Sequence, residues 1–449
     1  MSPAAIRAAW RSLSRKARAV VAICGVVAVI LFAPQLAEIP QRSALRGSDN
    51  TFNYLWLRSL MVGGDWDFRD DLAVCDTLTP EYREASLALP LTPAGRLPNK
   101  YGIGWALVSL PFYLVADGVV ATGRVLGVWT LARDGYNPVY QISLQTGHFL
   151  LAGVALALAY RVIRRWCARE PAVMGVALIW AASPLLYYQT SNLSMSHGVA
   201  FFAITLCLYG LVRAEESFDA TWPWWLAGMG LGLAVITRFQ TAVYGLIPLW
   251  VLVDFARKSR DAMAVGRATL GLVAGAAPLI ALQLFAWKIV YGSWLVFSYG
   301  ADGERFAWLH PEVVRVLFSP NHGLFYWHPL LAAGAAGLAI LAWHKRGLAL
   351  AGGVAFVAMI FVNAAWWCWW FGASFGGRAF DGAFLFLMAG WAYLYGRLPA
   401  RWSRMLFAGS VALAGWNCLL LVLYRLAVIP RNGPVSYEEM AHALPLLFR

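Results

Sequence analysis

Charged residues are scarce in this sequence. Of its 449 residues only 13% are Asp, Glu, Lys or Arg, whereas 60% are hydrophobic. A soluble domain carries charge at about twice that frequency, because much of its surface faces water. The composition therefore excludes a soluble globular enzyme and a disordered chain, and it predicts a protein embedded in a lipid bilayer.

Cysteine and the common catalytic motifs are also sparse or missing. The six cysteines are scattered, without a C-x-x-C pair or a ligand spacing beside histidine, and so predict neither a disulfide framework nor a zinc site. No P-loop, Rossmann fingerprint, G-x-S-x-G or H-E-x-x-H sequence occurs. The net charge of +13 comes from basic residues beside apolar runs, which indicates membrane orientation and not nucleic-acid binding.

What the sequence has in abundance is long apolar runs. A helix needs about 20 mostly apolar residues to cross a bilayer with every backbone group satisfied. About eleven runs meet this standard, approximately at 20–37, 139–160, 172–190, 197–212, 222–237, 240–255, 266–288, 325–343, 347–365, 380–396 and 404–424. The fold class expected is an all-α polytopic membrane protein. We interpret the first run as an uncleaved anchor, because no clean A-x-A site follows it.

The charges between the runs predict an orientation. Lys and Arg in short loops favour the cytoplasm. If a twelfth apolar run at 101–121 lies at the outer interface without crossing, the strongly basic short loops share one side with the N-terminus. These loops are 161–169, 257–267, 344–346 and 397–404. We therefore expect one integral domain over 1–449 in a bacterial inner membrane, with a cytoplasmic N-terminus, a periplasmic C-terminus and a long periplasmic loop at 38–138.

The long outer loop contains the first candidate site residues. Apolar residues between 50 and 61 recur at helical spacing and predict a short amphipathic helix resting on the membrane surface. Asp49 stands at its start, where a carboxylate either caps the first turn or removes a proton from an acceptor hydroxyl. Asp65 and Asp67 form a D-x-D pattern. Such acids either hold a divalent metal or are simply solvated, and we favour the second interpretation, with no metal or other cofactor.

Basic residues at other outer ends are candidates for binding an anion. Lys100 lies at the lip of an apolar helix, where it either meets a phosphate or extends toward lipid headgroups. Arg238 and Arg378 lie near the hydrocarbon edge, where a guanidinium needs an anionic partner or a water-filled cavity. The structural alternative for Arg378 is an ion pair with Asp381.

Histidines and tryptophans complete the outer candidates. His197 and His322 lie at outer ends, where a lone histidine either contacts substrate or packs and makes hydrogen bonds. The tryptophans between 366 and 370 fit an interfacial aromatic belt, or a wall that contacts a sugar or a prenyl chain.

The order of these features resembles the glycosyltransferase C superfamily of polytopic membrane enzymes. The resemblance is to the bacterial branch similar to protein O-mannosyltransferases and the lipid A aminoarabinose transferase (glycosyltransferase family 39). The motifs that carry the resemblance are Gly47-Ser48-Asp49 with Tyr54 after it, the segment 99–105 around Lys100, the segment 232–238 ending in Arg238, and Phe375-Gly376-Gly377-Arg378.

The resemblance implies a function. It implies inverting transfer of a sugar from a polyprenyl-phosphate donor to a glycan, lipid or protein acceptor at the outer face of the membrane. Asp49 is then the general base, and Lys100, Arg378 and Arg238 bind the donor phosphate. Tyr54, Asp65, Asp67, His197 and His322 are expected as further substrate contacts. A transporter or flippase of a lipid-linked sugar and an oligosaccharide ligase are the alternatives.

Overall fold

A computed structural model describes residues 10–259 and 261–448 of the chain. The described residues form helices and connecting segments without strands, apart from one isolated antiparallel bridge between Phe306 and Trp366. In chain order the α-helices are α1 (Arg15–Glu38), α2 (Ser48–Arg58), α3 (Phe68–Ala73), α4 (Pro80–Leu87), α5 (Gly104–Val125), α6 (Pro138–Ile163), α7 (Arg169–Ala181), α8 (Leu185–Tyr188), α9 (His197–Glu216), α10 (Thr221–Thr237), α11 (Leu246–Lys258), α12 (Ala262–Tyr291), α13 (Val313–Phe318), α14 (Leu324–Trp327), α15 (Leu330–His344), α16 (Leu348–Ala365), α17 (Ala383–Arg397), α18 (Ala400–Arg425) and α19 (Tyr437–Ala443).

The expected class, an all-helical polytopic membrane protein, is confirmed. Within the described ranges, eight helical segments are long and apolar enough to cross a membrane. They are Arg15–Glu38, Gly104–Val125, Pro138–Ile163, His197–Glu216, Phe239–Lys258, Ala262–Tyr291, Leu348–Ala365 and Ala400–Arg425. The count of eleven spans is not confirmed. Each of the eleven predicted runs contains a helix, but α7, α10, α15 and α17 have only 13, 17, 15 and 15 residues.

The first helices establish how the bundle is connected. α1 and α6 run antiparallel, because Phe32 stacks on Phe149 with ring centroids 4.2 Å apart and Gln141 accepts a hydrogen bond from Ser43 just beyond α1. At the other end of α1, Ser14 donates to Glu170 near the start of α7. The segment between α1 and α6 therefore begins and ends on the same side of the bundle.

The ambiguous run at 101–121 forms most of α5. Length and composition alone would make α5 a span. However, α5 packs antiparallel to the first half of α6, with Ser109 bonded to His148 and Tyr140 donating to Asp117. Because α1 ends and α6 begins on the same side, the whole segment between them, which contains α5, adds no net crossing. That α5 itself does not cross stays a prediction from the charge pattern.

The helix expected at 50–61 forms, but its environment differs from the expectation. Every residue from Asn50 to Arg58 in α2 is buried, so α2 does not rest on the surface with one face exposed. The reason is that polar groups on α2 are met by neighbouring segments. Trp56 donates to the carbonyl of Tyr101, Tyr54 donates to the carbonyl of Gly135, and Arg58 pairs with Asp71. Periodicity predicted the helix but not these covering segments.

Close packing against α12 fixes the position of α10 and of its end. A Cβ atom at Gly228 would lie 2.0 Å from the carbonyl oxygen of Leu272, and one at Gly275 would lie 2.1 Å from that of Trp225. Small residues at such crossings let two backbones touch, which is a common way for helices to associate in lipid. α10 and α12 are thereby fixed against each other, and Arg238 follows directly after α10.

Candidate active site

Asp49 is the second residue of α2, and its carboxylate is directed at charged and polar partners. The residue before the helix is Gly47, which has a φ of 96° and no capping side chain. Asp49 itself does not cap the helix from that position. Its Oδ1 accepts a hydrogen bond of 2.6 Å from the Tyr101 hydroxyl, and its Oδ2 lies 3.5 Å from Nη2 of Arg378.

The surroundings of Asp49 favour its ionised form. Burial raises the pKa of a carboxyl group, and this is the largest single effect at Asp49. The charge of Arg378, the Tyr101 hydrogen bond and the charges of Arg238 and Lys100 oppose it and together lower the pKa of Asp49 below 3.8. Asp49 is therefore a carboxylate at neutral pH, able to accept a proton.

Arg378 reaches Asp49 from a tight turn before α17. Gly376 has a φ of 61°, and a Cβ atom there would lie 2.0 Å from Nε2 of His328, so only glycine fits. The turn directs Arg378 back across the segment that precedes it, where Nη2 donates to the carbonyl of Phe371 at 2.8 Å. The Gly-Gly-Arg sequence is thus explained by the geometry that this arginine needs.

Arg238 pairs with Asp381, the acid that the sequence suggested as a partner for Arg378. Its Nε lies 3.0 Å from Oδ2 of Asp381, and its Nη1 donates to the Ser196 hydroxyl at 3.2 Å. The other carboxylate oxygen of Asp381 lies 2.8 Å from Nδ1 of His197. The structural alternative of an Arg378–Asp381 pair is wrong, because the turn points these two side chains to different partners.

Lys100 lines the same cavity as Arg378 and pairs with an acid from another segment. Its ammonium group donates to Oε1 of Glu304 at 2.7 Å and lies 5.7 Å from the ring centre of Tyr299. The lysine therefore does not simply extend toward lipid headgroups.

These residues line one cavity of about 770 Å³ where the helices end. Its charged lining comprises five basic side chains and two acidic ones. They are Arg46, Lys100, Arg238, Arg378 and Arg431, with Asp49 and Glu304. The rest of the wall is largely aromatic, including Trp287, Tyr299, Phe306, Trp366 and Trp367. Excess positive charge beside an aromatic wall suits a ligand that has both an anionic and an apolar part.

Four of the predicted site residues meet in this cavity, and five do not line it. Asp49, Lys100, Arg238 and Arg378 are the four. Tyr54 is fully buried beside Gly135, Asp67 pairs with Arg69, and Asp65 accepts from Ser59 and from the amide of Asp67. His197 lies behind Arg238, and His322 is buried beside Trp327. In the residues described, no three His, Cys, Asp or Glu side chains are grouped to hold a metal ion.

Sequence reasoning missed several cavity residues. Tyr101, which bonds Asp49, directly follows the predicted Lys100, so proximity in sequence was a usable signal. Glu304, Arg46 and Arg431 lie in segments without a recognisable pattern, and only the fold brings them to the cavity. Arg431 belongs to the segment after α18, which is attached by a hydrogen bond from the Val435 amide to the carbonyl of Pro320.

Comparison with solved structures identifies the fold. The apo structure of ArnT from Cupriavidus metallidurans superimposes with a TM-score of 0.55 at 14% identity, covering 94% of this chain and 68% of that chain. ArnT from the same organism bound to undecaprenyl phosphate gives a TM-score of 0.50 at 14% identity, covering 95% and 75%. The apo oligosaccharyltransferase from Archaeoglobus fulgidus gives 0.51 at 14% identity, covering 96% and 54%.

The chain has the glycosyltransferase C fold. The expectation from the order of sequence features is thereby confirmed at the level of architecture. No protein-family model matches the sequence, and no curated protein is similar to it in sequence. At 14% identity the likeness concerns the path of the chain, so the chemistry has to be argued from the cavity itself.

Proposed function

We propose that this protein is a membrane glycosyltransferase that moves a sugar from a polyprenyl-phosphate donor to an acceptor hydroxyl or amine. The observation that carries the proposal is the cavity that Asp49, Arg378, Lys100 and Arg238 line together. Arg378 lies 3.5 Å from Asp49, and the charges of Lys100 and Arg238 act on the same carboxylate. An ionised carboxylate beside several cations places a proton acceptor next to an anion-binding site. Donor binding and proton removal can therefore take place in the same space.

The proposed reaction is a single displacement with inversion at the anomeric carbon. The acceptor oxygen or nitrogen attacks C1 of the sugar from the face opposite the phosphate, and its proton passes to a carboxylate oxygen of Asp49. The bond between C1 and the phosphate oxygen breaks, and the electron pair remains on the leaving polyprenyl phosphate. Lys100, Arg238 and Arg378 stabilise the charge that develops on this phosphate.

The aromatic part of the cavity wall fits the lipid part of such a donor. Tyr299, Phe306 and Trp366 pack edge to face in one group, with ring centroids 4.8 to 5.7 Å apart. A prenyl chain packed against these rings would be removed from contact with water, and its phosphate would lie near Lys100. The ArnT structure bound to undecaprenyl phosphate has the same fold, which supports a prenyl phosphate as the donor carrier here.

The charge distribution supports a site on the outer face. The cavity lies where α1 ends and α6 begins, whereas the basic loops at 161–169, 257–267, 344–346 and 397–404 lie at the other ends of the helices. Lys and Arg in short loops favour the cytoplasm. We therefore place the cavity on the periplasmic side of a bacterial inner membrane, with the N-terminus inside and the C-terminus outside.

The experiment is transfer of labelled sugar from synthetic polyprenyl-phosphate sugars by the purified protein in lipid nanodiscs. We expect Asp49→Asn to lower turnover by about 100-fold or more, because it removes the proton acceptor. Binding of undecaprenyl phosphate should remain. The matched control is Asp70→Asn, which changes an exposed acid of α3 outside the cavity and should leave turnover unchanged.

The outcomes separate the proposal from its alternatives. Unchanged turnover in Asp49→Asn would reject Asp49 as the base. Movement of a labelled donor across a vesicle membrane without a new glycosidic bond would indicate a flippase. Products that carry a whole glycan in place of one sugar, identified by mass, would indicate an oligosaccharide ligase.

A further inference from the structure

A second group of basic side chains lies on another part of the cavity wall. Arg42 and Arg46 follow α1, and Arg425 and Arg431 lie at and after the end of α18. We call these four residues the arginine cluster. Arg46 and Arg431 line the cavity, and the reaction proposed above assigns them no role.

The arginine cluster has too little negative charge of its own. Glu38 lies 3.4 Å from Arg425 and 4.0 Å from Arg46, so two guanidinium groups share one carboxylate as their ion-pair partner. Arg431 donates to the backbone carbonyls of Tyr424 and Arg425, and within the described ranges it makes no ion pair. Burial, Arg42 and Arg431 lower the pKa of Arg46, with Glu38 opposing them, so an added anion would stabilise the cluster.

The cluster is separate from the proposed donor side. The cations that act on the Asp49 carboxylate are Arg378, Arg238 and Lys100, whereas the charged groups around Arg46 are Arg42, Glu38 and Arg431. The arginine cluster and the proposed donor side also have different aromatic neighbours.

Tyr187 and Tyr424, with ring centroids 5.5 Å apart, line the cavity on the cluster side. Tyr299 and Trp366, 5.7 Å apart, line it on the side of Lys100. Asp49 and Arg378 lie between, because Tyr101 bonds Asp49 while Tyr188 and Tyr424 surround Arg378. A cavity of about 770 Å³ has room for a group on each side.

We propose that Arg46 and Arg431 bind a phosphate group carried by the acceptor, on the side of Asp49 away from the donor phosphate. This inference rests on the proposed function, since it names the chemical class of that reaction's acceptor. A phosphate held by Arg46 and Arg431 directs the rest of the acceptor toward Asp49, where its hydroxyl or amine loses its proton. The donor phosphate remains with Lys100, Arg238 and Arg378.

The test measures binding of a soluble sugar phosphate to the full chain. Protein in phosphatidylcholine nanodiscs, saturated with undecaprenyl phosphate, is titrated with glucose 6-phosphate and with glucose. We expect saturable binding of glucose 6-phosphate and at least tenfold weaker binding of glucose. Arg46→Gln combined with Arg431→Gln should weaken glucose 6-phosphate binding at least tenfold, because two charge-assisted contacts are lost. The exposed control Arg315→Gln, outside the cavity, should not weaken it.

A second arm distinguishes an acceptor from a membrane lipid. The titration is repeated in nanodiscs of phosphatidylcholine and phosphatidylglycerol in equal parts. Unchanged binding of glucose 6-phosphate supports an acceptor site. Displacement of the sugar phosphate by phosphatidylglycerol, dependent on Arg46 and Arg431, would overturn the proposal and make the cluster a lipid-headgroup site.

The proposal is also overturned if the double variant binds glucose 6-phosphate as the natural chain does. Binding of undecaprenyl phosphate, measured separately, shows that the double variant is folded. Because that measurement also tests the donor, failure of the proposed function and failure of this inference give different results.

Discussion

Arg238, Asp381 and His197 form a group of contacting polar side chains behind the cavity wall. Asp381 is 2% exposed and His197 is fully buried, so the carboxylate has little access to water. One oxygen of Asp381 faces Nε of Arg238 and the other faces Nδ1 of His197. Contacts with Asp381 at Nε and with Ser196 at Nη1 limit the orientation of the guanidinium group that we propose to bind the donor phosphate. We therefore expect Asp381 to be a positioning residue that acts through Arg238.

A double-mutant cycle tests this role of Asp381. We expect Asp381→Asn to weaken undecaprenyl phosphate binding about as much as Arg238→Gln does, and the combined variant to be no weaker than either alone. Residues that act through one another are non-additive, with coupling of about 0.5 to 3 kcal/mol. Thermal unfolding of each variant provides the control, because breaking a buried ion pair also lowers stability. Additive losses of affinity would contradict a positioning role.

At the residue scale, the sequence was informative where a charge stood at an apolar border. Asp49, Lys100, Arg238 and Arg378 could be predicted because a charge near hydrocarbon needs a reason. The partners of these residues could not be predicted. Proximity in sequence suggested Asp381 as the partner of Arg378, but the glycine turn directs Arg378 to Asp49 and leaves Asp381 to Arg238.

The segment that leads into α5 holds Lys100 and Tyr101 against the end of α10. A Cβ atom at Gly102 would lie 2.0 Å from the carbonyl oxygen of Ile236, and one at Gly104 would lie 2.2 Å from Oγ1 of Thr237 and 2.7 Å from its amide nitrogen. The two backbones therefore touch just before Arg238. This contact sets the distance between Lys100 and Arg238, which we propose to bind the donor phosphate.

Two glycine substitutions in the same helix test this contact. We expect Gly104→Ala to lower stability by about 1 to 3 kcal/mol, as overpacking does, and to weaken undecaprenyl phosphate binding by displacing Lys100 from Arg238. Gly118→Ala, further along α5, has no atom within 4 Å of the added Cβ and should be neutral or slightly stabilising. The measurements are thermal unfolding and undecaprenyl phosphate binding. Equal effects of the two substitutions would show that the contact at Gly104 does not position the site.

At the element scale, hydrophobicity predicted helices better than their surroundings. Each apolar run contains a helix, because the bilayer leaves no other way to satisfy the backbone. The short helices α7 and α17 are mostly buried by neighbouring helices, so their ends depend on tertiary packing that no single run encodes. The burial of α2 has the same cause, since segments distant in sequence cover the face that its periodicity would leave exposed.

Two independent observations bear on the orientation of the whole molecule in the membrane. The contacts of α1 with α6 require an even number of crossings between them, whatever the orientation of the protein. The distribution of Lys and Arg then supports the proposed periplasmic location of the cavity. Neither observation alone is sufficient, because the contacts give no direction and the charges leave α5 ambiguous. Together they support the proposal that a lipid-linked donor and an acceptor meet outside the cytoplasm.

Cysteine labelling tests both observations at once. The six natural cysteines are first replaced by alanine, and single cysteines are then introduced at Val74 before α5, at Val128 after it and at Lys345 between α15 and α16. Val74 and Val128 are 62% and 65% exposed, so a maleimide can reach both positions. In intact spheroplasts, a membrane-impermeant maleimide should label positions 74 and 128, and position 345 only after permeabilisation. Labelling of 74 without 128 would make α5 a span, and labelling of 345 alone would place the cavity in the cytoplasm, away from a periplasmic acceptor.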